Sequence, residues 1–129
     1  MPARKRLSQA EHADRHDLYQ RAVQDVEAEI DFIEETWNSL RQRPAAVLRE
    51  DFCGTARTSC EWVRRSVQHR ALGVDLDTEV LEWGRRHNLE ALDPEQRRRV
   101  QLIEGNVTEV RRPRADITLA MNFSYFAFR

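Results

Sequence analysis

Two acids and a glycine turn are the residues of this chain whose types and spacing could do chemistry. Glu50 closes a short apolar run, Ala46-Val47-Leu48, and Cys53-Gly54-Thr55-Ala56 follows as a small-residue turn. Asp75 ends a second apolar run, Ala71-Leu72-Gly73-Val74, 21 residues after Gly54. A small-residue turn between a strand and a helix lets a ligand approach the backbone. It also aims the helix's free N–H groups, the positive end of its dipole, at that ligand. An acid at the tip of the next strand, about 20 residues past the glycine, is placed to accept hydrogen bonds from two ribose hydroxyls. The pattern asks for a nucleoside-containing ligand.

The elements that must position these residues are legible. Residues 45–77 read as strand, turn, helix, strand. Ala56, Cys60, Val63 and Val67 recur at helical spacing on one face of the helix. Such βαβ units are right-handed, with parallel strands and their loops at the carboxyl ends. Upstream, Met1–Leu7 is a basic tail, and Ser8-Gln9-Ala10-Glu11 has capping-box spacing for a first helix. Val26, Ile30, Ile33, Trp37 and Leu40 form a stripe on a second helix, capped by Asp25 and stopped by Pro44. This helical pair, within a cap over residues 1–43, is expected to lie on the sheet and partly cover the ligand mouth. Tyr19 is its residue nearest the site. Downstream, a helix is expected over 79–91, then a short one from Asp93-Pro94-Glu95. Strands follow at Val100–Glu104 and Ala115–Met121.

Other candidate residues carry little chemistry. Cys53 and Cys60 read as small buried or half-buried thiols, since a disulfide between them would distort the turn. His12 and His16 could share a helix face, but no third ligand accompanies them and no metal site is expected. Arg97-Arg98-Arg99 reads as a solvated charge run before a strand. The 129 residues suit one domain with a heavily charged surface, 40% hydrophobic and 33% charged. A net charge of −1 gives no global field for nucleic acid or an anionic membrane. No apolar run reaches the roughly 20 residues of a membrane helix, and the basic N-terminus lacks the apolar core of a secretory signal. A cytoplasmic location is expected.

The stretch Glu50-Asp51-Phe52-Cys53-Gly54-Thr55-Ala56 resembles the first motif of class I S-adenosylmethionine-dependent methyltransferases. Leu72-Gly73-Val74-Asp75-Leu76-Asp77 resembles the second, Glu104-Gly105-Asn106-Val107 the third, and Asp116 to Tyr125 the fourth. Their order and spacing agree with that superfamily, and the wording LREDFCGTA, GVDLD and NFSYF resembles one bacterial branch of it. The resemblance implies a Rossmann-like α/β fold and S-adenosylmethionine as cofactor. It implies that Glu50 serves the methionine end and that Phe52, Cys53, Gly54, Thr55 and Ala56 form the cradle. Asp75 would hold the ribose and Leu76 would pack on the adenine. Asn106, beside Val107, would meet the adenine amine. Asn122, Phe123, Ser124 and Tyr125 would stand beside the methyl group on the acceptor side. None of these is a convincing general base. Two departures stand out. Phe52 and Ala56 occupy places where the superfamily usually has glycine, and Asn106 replaces a commoner Asp.

The superfamily's sheet resembles seven strands ordered 3-2-1-4-5-7-6. This chain supplies strands 3-2-1-4 and ends at Arg129, so residues 44–129 are expected to be the cofactor-binding half of a truncated fold. The outer edge of the fourth strand would lie unpaired, with Phe123, Tyr125, Phe126 and Phe128 beyond it. Such an edge invites self-association or a covering partner, with cofactor binding but no turnover. The expected acceptor is a small molecule. The spacing of Asn122-Phe123-Ser124-Tyr125 also fits methyltransferases of nucleic-acid base amines, whose two prolines are absent here. Two readings compete. A nicotinamide-dependent oxidoreductase would need Gly-x-Gly-x-x-Gly, which Phe52 to Arg57 does not supply. A non-catalytic interaction module would bind no nucleoside.

Overall fold

The structure, a computed structural model, describes residues 9–120 and 125–129, with side chains for all of these except 9–20, 22, 23, 125 and 126. Four parallel strands and one antiparallel strand form a single sheet in the order β3-β2-β1-β4-β5. They are β1 (Val47–Asp51), β2 (Arg70–Asp75), β3 (Val100–Glu104), β4 (Ile117–Ala120) and β5 (Tyr125–Phe128). The helices are α1 (Gln9–Leu40), α2 (Arg57–Arg65), α3 (Thr78–Gly84) with a π-helical turn (Arg85–Leu89) behind it, and α4 (Pro94–Arg98). The register aligns Leu48 with Ala71 on one side and Ile117 on the other, and Ala71 with Val100. These residues share one face of the sheet and belong to the core.

That core is closed by helices. Ile30, Ile33 and Trp37 of α1 are fully buried with Cys60, Trp62 and Val63 of α2 against Leu48, Ile117 and Leu119. The stripe expected on the N-terminal helix is present from Val26 to Trp37, while Leu40 stays exposed. The helical pair is instead one continuous helix. Residues 9–40 contain no glycine or proline to break it, and Asp25 sits exposed within it. Val67 lies beyond α2 and is exposed.

The outer edge of β4 is not bare, contrary to the sequence expectation. β5 pairs with it in antiparallel register, Ile117 opposite Phe128 and Ala120 opposite Tyr125. Phe128 packs edge-on against Trp37 with ring centroids 5.4 Å apart, so this aromatic is absorbed by the core. The strand starts are tied together by Asp116. Its Oδ2 accepts from Ala46 N and Val47 N at 2.8 and 2.9 Å, and its Oδ1 pairs with Arg43 at 2.9 Å. Burial opposes its ionisation, but these donors and the Arg43 charge hold its carboxyl below the ordinary value.

One member of the arginine run departs from the expected solvated charge run. Arg99 is buried, and its Nη1 donates to the carbonyls of Val63, Ser66 and His69 at 3.0, 2.8 and 2.7 Å. Its other nitrogens reach both oxygens of Glu95. Arg97 donates to the carbonyls of Leu89, Glu90 and Leu92. Arg97 and Arg98 both remain exposed, Arg98 bonded to Pro94 O.

Candidate functional site

The strand order reverses between β1 and β4, and ligands of open α/β sheets bind at the carboxyl ends beside such a switch. The turn after β1 lies there. Its backbone is left-handed at three alternate positions: Phe52 at φ 56°, Gly54 at φ 57° and Ala56 at φ 61°. Left-handed φ costs a residue with a β-carbon about 1–2 kcal/mol. Phe52 and Ala56 both carry that cost.

The surroundings hold the turn against that strain. Cys53 N donates to Val74 O at 3.0 Å, and Gly54 N to Asp75 Oδ2 at 2.9 Å. Ala56 N closes a tight turn onto Cys53 O at 3.0 Å. Thr55 O accepts from Asn88 Nδ2 at 2.8 Å. Asp75 joins two loops, because its Oδ1 also accepts from Asp77 N at 2.9 Å. Asp77 in turn caps α3 through the N–H groups of Glu79 and Val80. The acid read as the ribose ligand thus stands beside the glycine turn, still partly exposed.

Glu50 sits behind the turn and is nearly inaccessible, at 7% exposure. Its Oε1 accepts from Ser59 N at 3.2 Å and Ser59 Oγ at 2.8 Å. Burial pushes its carboxyl up to about 7; the Ser59 bonds oppose that shift and the nearby Asp75 charge adds to it. Cys53 and Cys60 are free and buried, as expected. Burial pushes both thiols up, Cys60 to about 12, so neither is a thiolate nucleophile at neutral pH.

Two apolar side chains flank the turn in the open. Leu76 is 65% exposed and Phe52 48% exposed, at the carboxyl ends of adjacent strands. Asn106 is differently engaged from what the resemblance implies. Its amide oxygen accepts from Thr108 N at 2.9 Å and Thr108 Oγ at 2.7 Å, so both lone pairs are used within its own loop. Val107 offers its carbonyl to Arg49 Nη2 at 2.7 Å. Tyr125 opens β5 beside Ala120, at the same end of the sheet. The side chains of Tyr19 and Tyr125, and all of Asn122, Phe123 and Ser124, lie outside the described residues. Among the described residues, no group of three or more His, Cys, Asp or Glu could hold a metal, and no helix is long and apolar enough to cross a membrane.

Four residues of the site escape sequence reasoning. Ser59 holds Glu50, and Asn88 and Gly84 dock on Thr55. Arg49, buried within β1, clamps the loop after β3 through Val107 O and Val110 O and pairs with Asp51 at 2.5 Å. Only Gly84 left a signal, a glycine inside a helical pattern.

No protein-family model matches the chain, and no curated protein matches it. Solved structures do. One is the methyltransferase domain of bacterial CtHen1, at TM-score 0.54 and 20% identity over 80% of this chain and 50% of that one. Another is the glycopeptide N-methyltransferase MtfA, at TM-score 0.57 and 16% identity over 74% and 38%. A third is an RNA methyltransferase from Salinibacter ruber in complex with S-adenosyl-L-homocysteine, at TM-score 0.50 and 20% identity over 78% and 56%. At these identities the likeness is one of fold: the chain has the Rossmann-like fold of class I methyltransferases. It spans about half or less of the first two of these proteins.

Proposed function

We propose that this chain binds S-adenosylmethionine and serves a methyl transfer to a small-molecule acceptor. The observation that carries the reading is the strained turn 52–56, pinned beside Asp75 at the switch point of the sheet. Backbone strain over-determined by neighbours is a mark of a ligand site. A solved structure of the same fold, the Salinibacter ruber RNA methyltransferase, was obtained with S-adenosyl-L-homocysteine.

The residues fit the group. Asp75 would accept from the ribose hydroxyls with its unused lone pairs, since a carboxylate has about four acceptor sites. Leu76 and Phe52 would cover the adenine and the sulfonium side, which explains their exposure without a ligand. Glu50 would balance the positive methionine end from behind the turn. Asn106 fits least, because its oxygen must leave Thr108 before it can meet a base amine. When bound, the cofactor supplies a sulfonium already reactive as an electrophile. The protein's own task is then to orient the acceptor and keep water away. Asn122, Phe123, Ser124 and Tyr125 are the segment assigned to that side.

Calorimetric titration with S-adenosylmethionine, S-adenosylhomocysteine and NAD tests the reading. Saturable binding of the first two and none of NAD is expected. Binding of NAD alone would move the chain to the oxidoreductases. Binding of none would leave a non-catalytic module.

A further inference from the structure

The segment behind α3, which docks Asn88 on the turn, is irregularly wound. A helix was expected to run on to residue 91, but its winding opens at Arg85–Leu89, where Glu90 N reaches five residues back to Arg85 O at 3.1 Å. A π-helical turn re-aims the side chains that follow it, and such turns concentrate at functional sites. Here the side chain it aims is Asn88. Its Nδ2 donates to Thr55 O at 2.8 Å, across 33 residues of sequence.

A second contact reaches the same peptide independently. Gly84, the last residue of α3, lies directly on the turn. A β-carbon there would stand 2.6 Å from Thr55 O and 2.9 Å from Thr55 C, both backbone atoms that cannot swing aside. The absence of a side chain at 84 is what lets Asn88 reach. The Thr55 carbonyl shares its peptide plane with the Ala56 N–H, and that N–H is bonded to Cys53 O. Both polar ends of one peptide are therefore fixed, one by the turn itself and one by the π turn. The next backbone angle is the left-handed φ of Ala56, 61°. With glycine at 56 that angle would cost nothing. With alanine something outside the turn has to hold it.

We propose that Asn88 is a positioning residue of the cofactor turn: seated by Gly84, its amide clamps the Thr55–Ala56 peptide in the orientation that presents the turn to a nucleoside cofactor. The clamp rests on the S-adenosylmethionine reading for its purpose, but not for its geometry.

The full chain is compared as wild type, Asn88→Ala, Asn88→Asp, and Ala56→Gly with Asn88→Ala. Val63→Ala, in the core of α2 and away from the turn, serves as a destabilised control. Two readouts are taken where every variant is folded: S-adenosylhomocysteine affinity by calorimetry, and hydrogen exchange of the Ala56 amide without ligand. Asn88→Ala and Asn88→Asp should weaken binding at least about tenfold and speed exchange at Ala56 by a similar factor, the loss of one buried hydrogen bond. Ala56→Gly should recover most of the lost affinity, because glycine needs no clamp. Val63→Ala should lower the melting temperature and leave both readouts within about threefold. Normal exchange at Ala56 in Asn88→Ala would overturn the clamp. So would a binding loss no larger than that of Val63→Ala at equal loss of stability, or an Ala56→Gly background that rescues nothing. A wild-type chain that binds no cofactor would instead refute the functional reading, while the exchange readout still decides the clamp.

Discussion

Replacing Glu50 with glutamine separates the energetic cost of this acid from its use. The side chain is nearly inaccessible, and burial lifts its carboxyl from 4.5 to about 7. A carboxyl whose folded value is raised holds its proton more tightly in the folded chain than in the unfolded one. Its contribution to stability is therefore complete below about pH 4.5 and is lost as pH rises through about 7. A shift of about 2.5 units at about 1.4 kcal/mol per unit is worth about 3 kcal/mol. Glutamine keeps the shape and an oxygen for the two Ser59 donors, but it cannot ionise. Guanidinium unfolding of both proteins at pH 4.5 and pH 8 is the assay. The stability of Glu50→Gln relative to wild type should rise by about 3 kcal/mol between those pH values, whatever its absolute difference at either. Parallel pH profiles would refute the reasoning. Titration with ligand gives a second limb. S-adenosylmethionine carries sulfonium and ammonium charges that favour ionised Glu50. Its affinity for wild type should therefore increase through pH 7, more than that of S-adenosylhomocysteine, which keeps the ammonium but lacks the sulfonium, and should stay flat for Glu50→Gln.

Three further outcomes are expected. Asp75→Ala should weaken S-adenosylmethionine by about 1–3 kcal/mol in calorimetry, the usual worth of charge-assisted hydrogen bonds, and should also lower the unfolding midpoint because Gly54 N and Asp77 N lose their acceptor. Phe52→Gly should raise the stability of the ligand-free chain by up to about 1 kcal/mol in denaturant unfolding, since relief of the left-handed φ outweighs the loss of a half-exposed ring; Phe52→Ala, which keeps a β-carbon, should show no such gain. Arg99→Ala should destabilise by at least about 3 kcal/mol in the same assay, because three carbonyls lose one buried guanidinium, and Arg99→Lys should recover only part of it.

Much of the frame was legible because it is local. Short apolar runs bounded by acids and small residues marked β2, β3 and the start of β1 to within one residue, while β1 runs on past Leu48 to Asp51. Gly54 and the spacing to Asp75 marked the turn and its partner. What was missed depends on contacts distant in sequence. β5 has the aromatic composition of a strand, but nothing local says that Tyr125–Phe128 folds back on β4 so that Phe128 meets Trp37. The single α1 was split because two caps were read into an unbroken helix, and Asp25 proved to be an exposed mid-helix residue. Arg99 reads as surface charge like its exposed neighbours because composition cannot show that three carbonyls at 63, 66 and 69 converge on it. The motif around Asn106 does not show that its amide oxygen accepts from Thr108, two residues on.

The same distinction between residue type and geometry bears on what this turn is. Read by residue type, Phe52-Cys53-Gly54-Thr55-Ala56 has glycine at one position only. Read by backbone angle, three of its positions are left-handed, two of them without glycine. Glycine makes such a turn cheap by itself. A chain that gives up glycine must take the same conformation from its surroundings, and the contacts that supply it come from Val74, Asp75 and Asn88, all beyond the turn in sequence. The consequence is a change in what the turn depends on. A glycine-rich cradle tolerates repacking of the next helix, whereas this one is bound to the position of α3 and its π turn. Substitutions at Gly84 should therefore act on the ligand site as strongly as substitutions within it.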